Sequence, residues 1–138
     1  MIRYKFSPST PLIVIETRLE HIYVDFVKMA LDTASTRTVV TPAIAQRIGF
    51  NLEDSHPTET VYTAERGVKA VRLLVPKISF QIEDIKDIEV VCMPLPRQLR
   101  VDGLLGLNIL RHFKITIDFE QGLLLFDKIN IPFETAHQ

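Results

Sequence analysis

Residues 29–36 read Met-Ala-Leu-Asp-Thr-Ala-Ser-Thr, and they place an acid where an acid is unexpected. A hydrophobic run over residues 26–31 leads directly into Asp32, and small or hydroxyl-bearing residues follow it. A carboxylate enclosed in this way needs hydrogen-bond donors, because a buried charge without partners is costly or takes up a proton. Thr33, Ser35 and the backbone N–H groups of the turn can supply them. We therefore predict that this stretch is the functional centre.

The composition suits one soluble globular domain. Of the 138 residues, 46% are hydrophobic and 24% are charged, and the formal net charge is −1. This balance argues against disorder, and the lack of a basic excess gives no reason to expect nucleic acid as a partner. No apolar run is long enough to cross a membrane, and the N-terminus lacks the apolar stretch of a signal peptide. We predict a single domain over residues 1–138, with its core at about residues 11–127.

The cysteine and histidine content argues against a metal or another cofactor. Cys92 is the only cysteine, so an intrachain disulfide and a multi-cysteine metal site are both excluded. A reduced setting is the default for such a chain, and a cytoplasmic location is expected. The histidines are scattered without the spacing of metal ligands, and they are His21, His56, His112 and His137.

Alternation of apolar and polar residues predicts a mostly β structure. Three strands are predicted before Asp32, at residues 2–6, 12–16 and 22–27. No helix-length segment separates them, which favours antiparallel pairing over a βαβ arrangement. Later strands are predicted at residues 38–40, 60–64, 68–75, 78–82, 88–93, 113–119 and 123–126, with a last candidate at 129–133.

Two short helices interrupt this pattern. Thr41 and Pro42 suit the N-cap and the first position of a helix of about two turns, for which Gly49 is a natural stop. A second short helix is predicted over about residues 107–112.

A hairpin is predicted in the middle of the chain. Glu65-Arg66-Gly67 joins two strand-like segments, and Gly67 near the tip would tolerate a positive φ. Pro76 is expected to interrupt the second arm of this hairpin, because proline cannot donate to a strand ladder.

A second unusual stretch, Leu104-Leu105-Gly106, places two bulky apolar residues before a glycine that permits close backbone approach. The Asp-Thr-Ala-Ser motif at residues 32–35, the hairpin and this stretch, taken in order, resemble the retropepsin-like aspartic proteases. Asn108 extends the match, and the resemblance covers about residues 11–126. It implies an all-β fold, a closed retropepsin-like barrel with a flap hairpin and one or two short helices.

Two departures from the family pattern bear on this resemblance. Ala34 stands where the family usually has glycine, so its methyl group must fit the turn. Thr36 and Leu107 stand where viral members have an aspartate and an arginine that pair near the dimer contact. Both charges are absent together, so that contact must be built differently.

The resemblance implies an aspartic endopeptidase that acts on an extended peptide or protein substrate. Such chemistry needs two carboxylates that share one proton around a water molecule. The chain carries one Asp-Thr-small motif, and Asp102 before the later motif is interpreted as a turn residue. A symmetric homodimer that places Asp32 beside its own copy is therefore the predicted route to the second carboxylate.

The resemblance also implies roles for the residues around Asp32, the catalytic carboxylate. Thr33 would brace the two motif loops across the dimer, with Ala34 in the same supporting turn. Ser35 would donate to the outer carboxylate oxygen. The motif beneath the site would comprise Leu104, Leu105, Gly106 and Asn108.

The resemblance also implies roles for the flap and for the chain termini. The flap tip would close over the substrate and exclude water, and it would contain Thr63, Ala64, Gly67 and Val68. The segments at residues 2–6 and 129–133 would form an intersubunit sheet, or else edges within one subunit.

Alternative interpretations stay open. Asp-Thr-Ala-Ser at residues 32–35 is also a favourable sequence for an ordinary turn or helix N-cap. The same fold could serve as a non-catalytic dimerisation or peptide-binding module, in which Ala34 reflects relaxed constraint. An unrelated small β-barrel binding protein is a more distant reading. The joint presence of Asp32, Thr33 and Ser35 favours the enzyme.

Overall fold

The computed structural model describes residues 1–63 and 65–130, and strands dominate it. The helices are α1 (Pro42–Arg47) and α2 (Leu107–Leu110), with a 3-10 turn at Arg97–Leu99. The strands are β1 (Ile2–Lys5), β2 (Val14–Glu20), β3 (Val24–Leu31), β4 (Thr38–Val40), β5 (Thr58–Tyr62), β6 (Gly67–Phe80), β7 (Glu83–Cys92), β8 (Gly103–Leu105), β9 (Phe113–Asp118) and β10 (Leu123–Lys128).

Six strands close into a barrel. Their order is β2-β3-β8-β4-β7-β6, and a further pairing of β2 with β6 closes the ring. β5 adds to the outer side of β6, where the two strands form the predicted hairpin. The predicted all-β fold, with a closed barrel, a hairpin and two short helices, is confirmed.

β2 and β3, which precede Asp32, pair antiparallel as predicted, but two other pairings in the barrel are parallel. β3 pairs in parallel with β8, and β4 pairs in parallel with β7. β8 lies between β3 and β4 although it comes from far later in the chain. Local strand spacing carries no information about such a distant partner, which is why the sequence pattern did not indicate it.

Pro76 does not interrupt β6, which was a wrong prediction. β6 pairs with β7 on both sides of the proline, at Val75 opposite Ile88 and at Lys77 opposite Lys86. On its other edge, β6 pairs with β5 as far as Val71 and with β2 from Lys77 onward. Pro76 lies in the gap between these segments, where a missing N–H removes no bond of either ladder.

The main core joins the barrel to a second sheet with the order β1-β10-β9. Phe80 at the end of β6 is fully buried, and its ring centroid lies 5.9 Å from that of Phe113 and 6.1 Å from that of Phe126. These aromatic contacts tie β9 and β10 to the barrel. A smaller group, which we call the second cluster, consists of Val39, Ala70, Val91 and Met93.

The N-terminal strand lies within this second sheet. β1 pairs with β10 of the same chain, and Ile2 is buried. The other edge of β1 is unpaired in the described part of the chain, so an intersubunit sheet through that edge stays a prediction. Of the predicted strand at residues 129–133, only residues 129 and 130 are described, and they are not in a strand; the remainder lies outside the described residues.

Candidate functional site

Asp32 directly follows β3, and a neighbouring strand fixes its position. Leu31 is opposite Leu105 in the parallel β3–β8 pair, and the Asp32 N–H donates to the Leu105 carbonyl oxygen at 3.0 Å. Leu105 is completely buried. The start of β8 is held by Asp102, whose carboxylate accepts from the Lys28 N–H at 2.8 Å. The structure therefore brings the two motifs of the sequence together.

The chain turns tightly after Asp32. The Ser35 N–H donates to the Asp32 carbonyl oxygen at 3.2 Å, and the Ala34 N–H donates to Asp32 Oδ1 at 3.0 Å. This is the arrangement by which aspartate commonly stabilises a turn through its own side chain. The carboxylate is half-buried in the single chain rather than enclosed, which corrects the expectation from its apolar flank.

Ser35 does not play its predicted role in the single chain. Its hydroxyl donates to the Arg37 carbonyl oxygen at 2.6 Å. A hydroxyl has only one proton, so Ser35 cannot at the same time donate to the Asp32 carboxylate. Thr33 is exposed, and its predicted bracing role requires a second copy of the chain.

Ala34 fits the turn without backbone strain. Among the described non-glycine residues, positive φ occurs at Gln81, Asp87 and Arg100, and Ala34 is not one of them. Its side chain is exposed. The methyl group that departs from the family pattern is therefore compatible with the turn in the single chain.

A buried network holds the far side of the loop. Thr38 is completely buried, and its hydroxyl accepts from the Gly106 N–H at 3.1 Å. Asn108 Oδ1 accepts from both the N–H and the hydroxyl of Thr38, at 2.9 and 2.8 Å. The Leu107 N–H donates to the Ser35 carbonyl oxygen at 2.8 Å. The loop thus rests on the start of α2.

Gly106 is required by space at this contact. A Cβ on Gly106 would overlap the Arg37 carbonyl group and lie 2.9 Å from the Ser35 carbonyl oxygen. The close backbone approach that the sequence predicted for this glycine is present in the structure.

Asp32 opens onto a cleft of about 850 Å³. Part of its wall is apolar and comes from three members of the second cluster and from half-buried neighbours of that cluster, namely Val39, Val91, Met93, Val61, Val68, Leu95 and Leu104. Leu104 therefore faces the cleft while Leu105 lies in the core, as strand alternation requires. Much of the remaining lining is polar, with Ser35, Thr36, Arg37, Glu59, Thr60, Thr63, Glu65 and Arg66 among its members.

The hairpin of β5 and β6 borders this cleft. Val61 is opposite Val68, and Tyr62 is opposite Gly67. At the tip, the N–H and the hydroxyl of Thr63 both donate to the Arg66 carbonyl oxygen at 2.9 Å. Ala64, which the sequence assigned to this tip, lies outside the described residues.

Gly67 has an ordinary backbone conformation and does not use the positive φ that a glycine near a hairpin tip would tolerate. A Cβ there would lie 3.0 Å from Thr60 Cγ2 and 3.3 Å from Tyr62 Cε1. Tyr62 is 83% exposed and lines the cleft, and sequence reasoning did not select it. Its position in the arm of the predicted flap was the sequence feature that could have indicated a place in the cleft.

Sequence reasoning also missed a charged group beside the loop. The Arg37 guanidinium donates from Nη1 to Glu89 on β7, and its Nη2 lies 3.5 Å from Glu59 on β5. We call these three side chains the Arg37 cluster. Glu59 and Glu89 are distant from Arg37 in sequence, so no local pattern indicated the pairing.

Within residues 1–63 and 65–130, no group of three or more His, Cys, Asp or Glu side chains is placed to hold a metal ion. The helices in the same part of the chain, of six and four residues, are too short to span a membrane.

Known proteins resemble this chain in sequence and in fold. The curated DNA damage-inducible protein 1 of Phaeosphaeria nodorum is 29% identical over 108 residues, which are 78% of this chain and 24% of that protein. The chain thus spans about a quarter of the length of the curated relative it matches.

Two solved structures share the fold. A retropepsin-like aspartic protease from Rickettsia conorii superposes with a TM-score of 0.64 and 24% identity, over 82% of this chain and 80% of that one. The EIAV protease complexed with the inhibitor HBY-793 superposes with a TM-score of 0.59 and 16% identity, over 75% of this chain and 88% of that one.

The family model described as aspartyl protease matches residues 24–109, which is more than half of the chain and includes both motifs. The chain belongs to the aspartyl protease family and has the retropepsin-like fold.

Proposed function

We propose that the protein is an aspartic endopeptidase that acts as a homodimer, with residues 1–138 as one domain. The observation that carries the proposal is the position of Asp32. Its carboxylate lies half-buried at the wall of an 850 Å³ cleft, on a loop held by buried hydrogen bonds. One chain contributes one such carboxylate, so a two-fold axis beside Asp32 would supply the second.

The chemistry follows from two carboxylates that share one proton. The ionised carboxylate takes a proton from the bound water, and the water oxygen attacks the peptide carbonyl carbon. The protonated carboxylate donates to the carbonyl oxygen, which gives a tetrahedral diol. Return of a proton to the amide nitrogen then breaks the C–N bond and releases the two product peptides.

An extended peptide is the substrate that suits the cleft. The outer edge of β5 is unpaired in the described part of the chain, and the hairpin borders the cleft on that side. A peptide in strand conformation could bind through its main chain, with side chains packed on the apolar wall. The hairpin would act as the flap that limits access of water.

A non-catalytic peptide-binding module is the alternative. This alternative takes Ala34, in place of the usual glycine, as a sign that the motif is no longer constrained by catalysis. The turn geometry gives it little support, because Ala34 has an ordinary φ and its N–H still donates to Asp32.

Hydrolysis of a mixed peptide library between pH 4 and pH 7 tests the proposal, with Asp32→Asn as the control. We expect cleavage by the wild type and a loss of about 10³-fold or more in the variant. Equal cleavage by both proteins, or no cleavage by a proven dimer, would contradict the enzyme. Sedimentation provides an independent check, because a monomer at the assay concentration is incompatible with a shared site.

A further inference from the structure

The hairpin of β5 and β6 leaves the barrel at Val71. Beyond that residue β6 pairs with β5 alone, because its pairing with β7 begins at Val71 opposite Cys92. The outer edge of β5 is unpaired in the described part of the chain. No strand ladder therefore joins the described residues 58–63 and 65–70 to the barrel, and side-chain contacts must set the position of the hairpin beside the cleft.

Two kinds of side-chain contact connect the hairpin to the barrel. Ala70 is completely buried in the second cluster, and Val61 and Val68 are half-buried against it. Such apolar packing is not directional, so it holds the hairpin near the barrel without fixing its exact position. The other contact is charged. Among the described residues, the pair of Glu59 and Arg37 is the one salt bridge that joins the hairpin to the rest of the chain.

Arg37 projects from a well-held stretch of backbone. Its carbonyl oxygen accepts from the Ser35 hydroxyl at 2.6 Å, and the N–H of the next residue, Thr38, donates to Asn108 at 2.9 Å. The same Asn108 side chain donates from Nδ2 to the Glu89 carbonyl oxygen at 2.8 Å. One side chain thus ties together the backbone beside Arg37 and the backbone of Glu89.

The guanidinium connects this anchored region to the hairpin. Nη1 donates to Glu89, which orients the group, and Nη2 lies 3.5 Å from Oε1 of Glu59. That oxygen is buried. A buried carboxylate oxygen without a neighbouring cation is unfavourable. Loss of the Arg37 side chain would therefore drive Glu59 toward solvent, and β5 would move with it.

We propose that Arg37 is a positioning residue of the peptidase, whose side chain holds the flap arm β5 at a set distance from the Asp32 loop. This inference rests on the proposed function and adds to it the device that places the flap. Arg37 acts through Glu59 on the hairpin against which the substrate packs. Because partly exposed ion pairs add little to global stability, the effect belongs to the hairpin rather than to the whole fold.

Hydrogen exchange followed by mass spectrometry tests the contact independently of hydrolysis, in the Asp32→Asn protein. Arg37→Met removes the charge and leaves the Arg37 carbonyl oxygen in the loop. We expect the amides of residues 58–71 to exchange about threefold to fivefold faster, as fits the loss of one partly exposed ion pair, and those of residues 103–118 to be unchanged. Glu59→Gln should give the same change, and the double variant should add nothing further.

Arg66→Met is the matched control. Arg66 is also in the hairpin and lines the same cleft, but it makes no ion pair with a described residue. Whatever it does to the overall rate, Arg66→Met should leave the exchange of residues 58–63 unchanged. Equal acceleration in Arg37→Met and Arg66→Met would overturn the assignment. If Arg37→Met does not fold, the comparison of Glu59→Gln with Glu65→Gln decides in the same way.

Kinetics in the Asp32 protein separate a flap role from a merely structural one. Arg37→Met should raise KM about threefold to fivefold and leave kcat within about twofold, because a looser hairpin lowers the fraction of molecules ready to bind. Arg37→Lys, which keeps the charge but not the two-sided fork, should restore part of the KM. A fall in kcat at unchanged KM would mean that Arg37 acts on the Asp32 loop itself, and it would overturn the flap role.

The two readouts distinguish failure of this inference from failure of the proposed function. Faster hairpin exchange in Arg37→Met and Glu59→Gln, without cleavage of any peptide by the wild type, would contradict the peptidase and support the contact. Cleavage by the wild type with no change in hairpin exchange, or with additive changes in the double variant, would overturn the contact and leave the peptidase intact.

Discussion

Asn108 Oδ1 accepts two hydrogen bonds from Thr38, at 2.9 Å from the backbone nitrogen and 2.8 Å from the hydroxyl oxygen. The two residues are 70 positions apart in the chain. Thr38 begins the strand that leaves the Asp32 loop, and Asn108 lies in the first turn of α2. The shape of the loop therefore depends on a pair of side chains that only the closed barrel brings together.

We expect Thr38→Val to destabilise the protein by about 1–3 kcal/mol, because the Gly106 N–H loses its acceptor in a buried position. The volume of the side chain hardly changes, so packing contributes little. Urea unfolding measures the effect. Thr116→Val, at an exposed position of β9, is the matched control and should change stability by less than about 0.5 kcal/mol. Equal effects of the two changes would contradict a role for the buried network.

Gly106→Ala should be far more damaging than Gly67→Ala. The new methyl group at position 106 would overlap backbone carbonyl groups that the loop cannot move cheaply, and a loss of more than about 3 kcal/mol is expected. At position 67 the nearest atoms belong to the side chains of Thr60 and Tyr62, which can shift, and alanine loses less conformational freedom than glycine on folding, so the net change should stay within about 1 kcal/mol. Far-ultraviolet circular dichroism and urea unfolding measure both. Similar stability of the two variants would show that the loop relaxes around residue 106.

Local chemistry predicted the parts of the fold that are local. Thr41 and Pro42 indicated the start of α1. Gly49, at φ +110°, indicated its end, because it follows the C-cap residue Ile48. Alternating residues indicated most strands. The interruption at Pro76 was wrong because the cost of a missing N–H depends on which edge of the strand is paired there, and pairing is a tertiary property.

The candidate site divides in the same way. Asp32 and Gly106 were visible because an acid after an apolar strand and a glycine after two leucines are unusual in themselves. The acceptor of the Ser35 hydroxyl was not visible, because the curvature of the loop presents the Arg37 carbonyl oxygen instead of the carboxylate. The pairing of Glu59 with Arg37 could be recognised only in the closed barrel, since nothing near Glu59 in sequence marks it as a partner of Arg37.

Asp84 should make stability depend on acid pH. The hydrogen bond from Ser79, at 2.6 Å, lowers the pKa of Asp84 below its usual 3.8, and Lys77 adds to the effect. Because the folded-state pKa is the lower one, the stabilisation is fully present above the unfolded-state value and is lost as the pH falls through the folded-state value. The window therefore begins near pH 4 and extends downward.

The measurement is the difference in unfolding free energy between the wild type and Asp84→Asn, followed from pH 6 to pH 2. The difference cancels the contributions of the other carboxylates. It should be constant above the window and should shrink within it as the wild-type side chain takes up its proton. A difference that does not change with pH would contradict a lowered pKa for Asp84.

Cys92 should resist thiol reagents in the folded protein. It is 4% exposed on β7, and burial raises its pKa to about 11. The thiolate is the reactive form, so at neutral pH its population is about 100-fold below that of an ordinary thiol, and the side chain is also shielded from the reagent. Iodoacetamide labelling followed by mass spectrometry should show negligible modification in buffer and complete modification in urea. Because Cys92 is the only thiol, Cys92→Ser provides the blank. Rapid labelling under native conditions would mean that β7 opens locally at a cost well below global unfolding.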